Sequence, residues 1–160
     1  MIITAPYIFQ ESSAINSALA ALFTAVRIGD QAFRRAAIGR LEAAMAAEPQ
    51  VEQPLEHEFA PGLYLRRIVN PKGSLVATKI HREPNVSTLL RGKMSIITED
   101  GMTMLNSPAQ FITKPGTKRI IYAQEECEFT TIHPNPLDTR DIDALERRII
   151  APDFSSLEAV

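Results

Sequence analysis

The sequence predicts an all-β sandwich or barrel with an α-helical hairpin before it and a short helix after it. Two observations predict this class. Residues 12–48 are rich in alanine, contain no proline and repeat apolar residues at helical spacing. The later part of the chain has short runs rich in Val, Ile, Thr, Leu and Tyr, separated by turns such as NPKG, REPN and KPGTK. We therefore expect a helical segment over 1–50, a β domain over 51–137, and a helix with a tail over 138–160.

The N-terminal segment is expected to form two amphipathic helices. The first runs from Ser13 to Ile28, Gly29 separates the two, and Asp30 is suited to cap the second. The apolar positions at helical spacing are Ile15, Leu19, Leu22 and Val26 in the first helix and Phe33, Ala37, Leu41 and Met45 in the second. Such a hairpin lies either on the main domain or on a partner subunit.

The β domain begins after residues 49–61, a proline-spaced acidic linker with room for one edge strand. The expected strands are Leu63–Val69, Leu75–Ile80, Val86–Leu90, Lys93–Thr98, Met102–Leu105, Gln110–Thr113, Arg119–Ala123 and Glu128–His133. Short strands at such regular spacing indicate a sandwich or a barrel. A last helix, capped near Asp138 or Thr139, covers RDIDALERRII, and the tail after it is expected to fray.

Composition excludes several classes of protein. A net charge of -2, from 17 basic and 19 acidic residues, gives no electrostatic footprint for nucleic acid. No apolar run is long enough to span a membrane. The single cysteine, Cys127, rules out an internal disulfide framework and a cysteine-based zinc site, which favours an intracellular protein. We expect Cys127 to be a small buried apolar residue.

One segment, GSLVATKIHREPNVSTLLRG from Gly73 to Gly92, resembles the first motif of the cupins, G-x5-H-x-H-x3-E-x6-G. Both glycines match, and Lys79, His81 and Asn85 occupy the three metal-ligand positions. Cupins are small jelly-roll barrels, so the resemblance implies a cupin-type jelly-roll β-barrel over residues 59–134.

The second cupin motif, G-x5-P-x-G-x2-H-x3-N, can be placed on Pro108–Ala123. There Gly116 matches, and Arg119 stands where the last ligand histidine belongs. The strings KIHREPN, PGTKR and YA are similar to small cupin-like proteins of tailed bacteriophages and prophages, which implies a viral origin.

The substitutions change the chemistry that the resemblance implies. Catalytic cupins hold a metal with three histidines and a carboxylate, whereas Lys79, Asn85 and Arg119 are poor ligands, so we expect no metal and no cofactor. If Lys79, His81 and Arg119 point inward, they suit a carboxylate, a phosphate or a sugar acid. Strand alternation leaves open which face is inside, and Arg119 is equally explained as part of a solubilising basic turn.

Two other histidines are candidates of lower rank. His133 either points into the mouth of the barrel or is a satisfied core residue, and Cys127 lies too far along the same strand to form a nucleophile pair with it. His57, between Glu56 and Glu58, faces away from both glutamates on a strand and is interpreted as part of a solvated linker.

The leading hypothesis is a non-enzymatic phage-type cupin module that binds a small anionic molecule through Lys79, His81, Asn85, Arg119 and His133, or serves as a protein–protein scaffold. One alternative is a metal-dependent cupin enzyme, an oxygenase or sugar isomerase, with ligands from His81, His133 and Glu83. Another is a virion component attached through its helices. We expect a homodimer or higher homo-oligomer in the host cytoplasm or the virion, with a phage structural protein or a host protein as a further partner.

Overall fold

Two five-stranded antiparallel sheets form the centre of the fold. The structure is a computed structural model that describes residues 7–8, 12–28 and 30–157. In chain order the elements are β1 (Tyr7–Ile8), α1 (Ser13–Ile28), α2 (Gln31–Ala46), β2 (Leu55–Ala60), β3 (Leu63–Asn70), β4 (Ser74–Ala77), β5 (Ile80–His81), β6 (Asn85–Arg91), β7 (Lys93–Thr98), β8 (Gly101–Asn106), β9 (Ala109–Thr113), β10 (Ile120–Ala123), β11 (Cys127–Pro134), α3 (Ile142–Ile149) and β12 (Ile150–Ala151). The β-rich class and the positions of most strands are confirmed.

The strand order shows how the chain winds between the sheets. The first sheet has the order β1-β4-β10-β7-β8, the second has the order β2-β3-β11-β6-β9, and β5 pairs separately with β12. This mixing of sequence-distant strands is consistent with a jelly roll. The sheets pack through an apolar cluster of Val76, Leu89, Met94, Ile96, Ile121, Ala123, Cys127 and Phe129.

The helical hairpin lies on the outer face of the first sheet. Of the two placements left open by the sequence, the structure therefore shows the one on the main domain. The buried residues of this layer are Ile15, Leu22, Ala25, Ala37, Ile38, Leu41 and Met45 from the helices and Leu75, Ala77, Ile97 and Ile120 from the sheet. Asp30 caps α2 as predicted, by accepting a hydrogen bond from the backbone N–H of Phe33. Phe33, expected on the buried face, is exposed instead, and Gly29 lies outside the described residues.

The linker expected over residues 49–61 contains the edge strand for which it had room. β2 pairs along its whole length with β3, and its side chains alternate between half-buried and exposed. Within the described part of the chain, no helix is both long and apolar enough to cross a membrane.

The C-terminal region differs from the prediction in two ways. Asp141, not Asp138 or Thr139, caps α3, because its side chain accepts a hydrogen bond from the backbone N–H of Ala144. Asp138 lies in the preceding loop and accepts a hydrogen bond from the backbone N–H of Gly62. The helix was expected to include Ile150 and the tail after it to fray, but Ile150 and Ala151 form β12 against β5. Residues 158–160 lie outside the described residues.

The two glycines of the first motif have a backbone reason to be glycine. Gly73 and Gly92 have φ values of 81° and 90°, in the left-handed region that side chains disfavour. A Cβ atom on Gly92 would also collide with the carbonyl oxygen of Glu126. The motif glycines therefore support tight turns of the fold and need no ligand to explain them.

Candidate functional site

The inner face of the second sheet is apolar at one end and polar at the other. One cross-strand row is apolar and contains Leu55, Ile68, Phe129, Leu89 and Ala109. The next row contains His57, Arg66, Thr131, Ser87 and Phe111. Beyond it, Phe59 pairs with Tyr64 and Tyr64 with His133, while Asn85 pairs with Thr113. Polar side chains thus gather between the sheets at a single end.

A cavity of about 50 Å³ lies at this polar end, and we call it the interior cavity. Arg66, Lys79, His81 and Arg119 all line it, together with apolar residues such as Phe129. No carboxylate among the described residues lines it. The cavity therefore presents positive charge with no carboxylate on its own wall, although Glu146 lines a smaller neighbouring cavity together with Arg66 and His81.

Lys79 and His81 reach this cavity because the strand predicted over Leu75–Ile80 is broken. β4 ends at Ala77, and the backbone N–H of Thr78 donates to the carbonyl of Arg119. Along β4, Leu75 packs on the helices, so strict alternation would have placed Lys79 and His81 on that outer face as well. The break at residues 78–79 changes the alternation and brings both side chains to the inner side.

Arg119 is buried, with 3% of its surface exposed, which contradicts the alternative of a solubilising basic turn. Its Nη2 atom donates to the Oγ1 atom of Thr113, and its guanidinium carbon lies 5.3 Å from the centroid of the Phe111 ring. Burial lowers the pKa of Arg119 to about 10. Arg119 therefore remains a cation at neutral pH.

Arg66 is the site residue that sequence reasoning missed. It is half-buried as a residue, but its Nε atom is buried and has no hydrogen-bond partner in the described structure. Burial lowers its pKa, and a carboxylate, Glu146, acts on it only at a distance beyond an ion pair. Strand alternation within LYLRRIVN was the available signal, because one of two adjacent arginines must face inward. The other, Arg67, points outward and pairs with Glu56, Glu58 and Glu128.

His81 and His133 lie side by side, with ring centroids 5.1 Å apart. Burial lowers the pKa of His81 to about 3, with smaller contributions from His133, Arg119 and Arg66. Burial, followed by the charge of Arg66, lowers the pKa of His133 to about 4. Both imidazoles are therefore neutral at pH 7.

His133 lies on the α3 side of His81. Its Nε2 atom is 3.0 Å from the Oγ1 atom of Thr131, while its Nδ1 atom has no partner among the described residues. With Tyr64, Arg66 and His81 it lines a second cavity, of about 20 Å³, under α3. His133 is therefore buried like a core residue, but it also lines a cavity and keeps one unpaired ring nitrogen, as a residue at the mouth of a barrel would.

Asn85 does not line the interior cavity but joins its hydrogen-bond network. Its Oδ1 atom accepts a hydrogen bond of 3.1 Å from the hydroxyl of Ser87, which is 2.6 Å from the hydroxyl of Thr113. Thr113 in turn accepts from Arg119, and the Nδ2 atom of Asn85 has no partner in the described part of the chain. The five candidates therefore form one connected region, with Lys79, His81 and Arg119 sharing a cavity.

Two other candidates have structural explanations, one of which corrects a prediction. His57 is part of β2 and not of a solvated linker: its Nδ1 atom is 2.7 Å from the Tyr64 hydroxyl. As expected, it faces away from its two flanking glutamates. Cys127 is fully buried, as predicted, and its thiol donates to the carbonyls of Lys93 and Glu125.

The donor set fits a divalent metal poorly. His81 and His133 are the two imidazoles available, and Glu83, the third ligand of the enzyme hypothesis, is paired with Arg148 at 2.8 Å. Among the described residues no three His, Cys, Asp or Glu side chains are grouped for a metal ion. Arg66 and Arg119 would moreover repel a cation.

Comparisons with solved structures support the fold. A salicylate 1,2-dioxygenase variant from Pseudoaminobacter salicylatoxidans matches with a TM-score of 0.50 and 13% identity, over 61% of this chain and 29% of that chain. An RmlC-like cupin family protein from Methanocaldococcus jannaschii matches with a TM-score of 0.46 and 16% identity, over 54% and 84%. A cupin-2 domain protein from Shewanella frigidimarina matches with 0.43 and 16%, over 55% and 84%.

Proteins described as cupins are thus among the solved structures that this chain resembles. No family model matches the chain, and no curated protein sequence matches it. At identities this low the likeness concerns the fold alone and carries no information about activity.

Proposed function

We propose that the protein is a non-enzymatic cupin-type module that captures a small anion between the two sheets of its jelly-roll barrel. The observation that carries this proposal is the grouping of Arg66, Lys79 and Arg119 around one cavity that no described carboxylate lines. Capture needs no catalytic group, only buried donors that an anion can satisfy.

The energetics of burial support an anionic ligand. A buried cation without a partner is costly, and an unpaired buried donor adds about 1–3 kcal/mol. Arg66 has an unpaired Nε atom, and Arg119 forms its side-chain hydrogen bond with a neutral hydroxyl. Charge-assisted hydrogen bonds to a carboxylate or phosphate are roughly twice as strong as neutral ones, so a bound anion would offset this cost.

Thermal unfolding with and without anions tests the proposal. Phosphate, dicarboxylates, sugar acids and nucleotides would be screened, and a ligand at 100 times its Kd adds about 2.7 kcal/mol of apparent stability. Lys79→Met and Arg119→Met should weaken the shift while leaving the ligand-free protein at least as stable. Lys72→Met, at an exposed turn residue, is the matched control and should leave the shift unchanged.

Two results would contradict anion capture. If Lys79→Met and Arg119→Met both lower the stability of the ligand-free protein strongly, the cations are structural. If no anion shifts the unfolding transition, the scaffold hypothesis replaces capture. Elemental analysis addresses the enzyme alternative, because stoichiometric Fe, Mn, Ni or Zn that is lost in His81→Ala would favour a metal-dependent cupin.

Self-association is a second part of the proposal. Several large apolar side chains on the hairpin side are exposed, including Phe23 at 49%, Met102 at 49% and Met104 at 51%. Covering them in a homodimer or larger homo-oligomer would remove apolar surface from water. Light scattering that gives the mass of one 17.7 kDa chain at micromolar concentration would contradict this.

The phage-type origin rests on the sequence resemblance of KIHREPN, PGTKR and YA to phage cupin-like proteins. We propose a location in the host cytoplasm or in the virion, where the hairpin would attach the domain to a phage structural protein or a host protein. Mass spectrometry of purified virions would identify the chain if it is a particle component.

A further inference from the structure

The interior cavity is too small for a whole metabolite. Its volume is about 50 Å³, whereas binding sites for small organic ligands measure about 300–1,000 Å³. A space of this size has room for a head group such as a carboxylate or phosphate and for little more. The rest of any larger anion must lie in an adjoining space.

Arg119 separates the interior cavity from such a space. A groove of about 360 Å³ is lined by residues of β8 and β9, edge strands of the two sheets, and by Arg119; we call it the β8–β9 groove. Phe111, the ring beneath the Arg119 guanidinium, and Thr113, its hydrogen-bond acceptor, also line the groove. An anion held by Arg119 is therefore in reach of the groove.

The lining of the β8–β9 groove indicates what it would bind. Neutral hydroxyl groups dominate its polar part, with Thr103 and Thr117 as examples, and Asp100 and Lys114 contribute one charge of each sign in addition to Arg119. Thr103 is exposed and pairs across the strands with Ile96, which faces the other sheet, so its hydroxyl is accessible to a ligand in the groove. The Gln110 amide instead donates to the Thr88 hydroxyl on the outer face of the second sheet. Apolar side chains and the Phe111 ring supply surface for the C–H groups of a sugar.

We propose that the β8–β9 groove binds the uncharged, hydroxylated body of the captured anion, so that the ligand is a sugar acid or a sugar phosphate. This inference rests on the proposed function, because the head group is held by the cations of the interior cavity. It adds a second compartment and assigns specificity to Thr103.

Isothermal titration calorimetry would compare each sugar anion with its parent anion: glucose 6-phosphate and ribose 5-phosphate with inorganic phosphate, and glucuronate and gluconate with acetate. In at least one of the two comparisons the sugar anion should bind about tenfold more tightly than its parent anion. The comparison that shows this difference identifies the head group of the ligand as a phosphate or a carboxylate. Thr103→Val should reduce that advantage about two- to tenfold, the range for one lost hydrogen bond, without changing the affinity for the parent anion. Thr24→Val, at an exposed threonine of α1, is the matched control.

The outcomes separate the inference from the proposed function. If phosphate or acetate binds and no sugar anion binds more tightly, the groove inference is wrong and anion capture stands. If glucose binds as tightly as glucose 6-phosphate, the link between groove and cavity is wrong. If no anion binds at all, the proposed function itself fails.

Discussion

Arg66 and Arg67 are adjacent arginines on β3 with opposite surroundings, and they provide a matched test of an anion site. Arg66 lines the interior cavity with its Nε atom buried and unpaired. Arg67 lies on the outer face and forms ion pairs with three glutamates. We would replace each with methionine, which keeps the length of an apolar stem and removes the guanidinium.

The structure gives the expected size and sign for Arg66→Met. An unpaired buried donor costs about 1–3 kcal/mol, so the ligand-free variant should be as stable as the wild type or more stable by up to about that amount. The distant attraction of Glu146 reduces this gain. For a chain of this size, each kcal/mol corresponds to about 2–4 °C in Tm. In Arg67→Met the loss of surface ion pairs should lower stability slightly.

Urea unfolding followed by far-UV circular dichroism measures these differences, since the chain has no tryptophan for fluorescence. Calorimetry with inorganic phosphate then measures binding, which Arg66→Met should weaken at least tenfold and Arg67→Met should not change. The reasoning is refuted if ligand-free Arg66→Met is less stable than Arg67→Met and binds phosphate like the wild type.

Two further predictions concern the histidines and the helical layer. The pKa values of His81 and His133 are lowered from 6.5 to about 3 and about 4 in the folded protein, so as the pH falls the unfolded chain binds protons at these histidines before the folded chain does. The free energy of unfolding should therefore be largest above pH 6.5 and decrease below it. The slope should be up to about 1.4 kcal/mol per pH unit for each histidine. Urea unfolding between pH 7.5 and 5 measures this slope, and an unchanged slope in His81→Gln would contradict it. Leu22→Ala, at a fully buried position between the hairpin and the sheet, should cost about 2–5 kcal/mol, whereas Phe23→Ala at the exposed neighbour should cost far less; equal losses would contradict the packing of α1.

Periodicity predicted the elements whose hydrogen bonds are local or whose strands are regular. The bounds of α1 were predicted to the residue, and β7 matches its predicted range of Lys93–Thr98. These segments carry their signal within the segment itself, as a helical or alternating pattern bounded by turn residues.

The break between β4 and β5 could not be predicted in this way, because its cause is distant in sequence. The backbone N–H of Arg119 donates to the side-chain hydroxyl of Thr78, and β5 pairs with β12, which follows α3. A single run of β-forming residues carries no sign of such partners. The possibility that Lys79 and His81 point inward was therefore raised by the cupin resemblance, because strand alternation alone does not predict it.

Arg66 could have been identified from the sequence, and its omission has a specific cause. β3 belongs to neither cupin motif, and the candidates outside the two motifs were histidines, His57 and His133. Alternation along LYLRRIVN requires one arginine on each face. A tertiary contact was needed only to show that the inward one meets Arg119 and His81 around the same cavity.

The charge of the interior argues against a site that has merely lost a metal. If the ligand positions had no remaining role, apolar side chains would fill the space between the sheets at lower cost than cations, since replacing buried charges with apolar residues is often neutral or stabilising. The interior instead contains Arg66 and Arg119 beside a half-buried Lys79, with neutral histidines and hydroxyls as their neighbours. Local departures from the most stable choice are expected at functional sites. None of these cations forms an ion pair with a described carboxylate, and this is why we propose an anion from outside the chain as their partner.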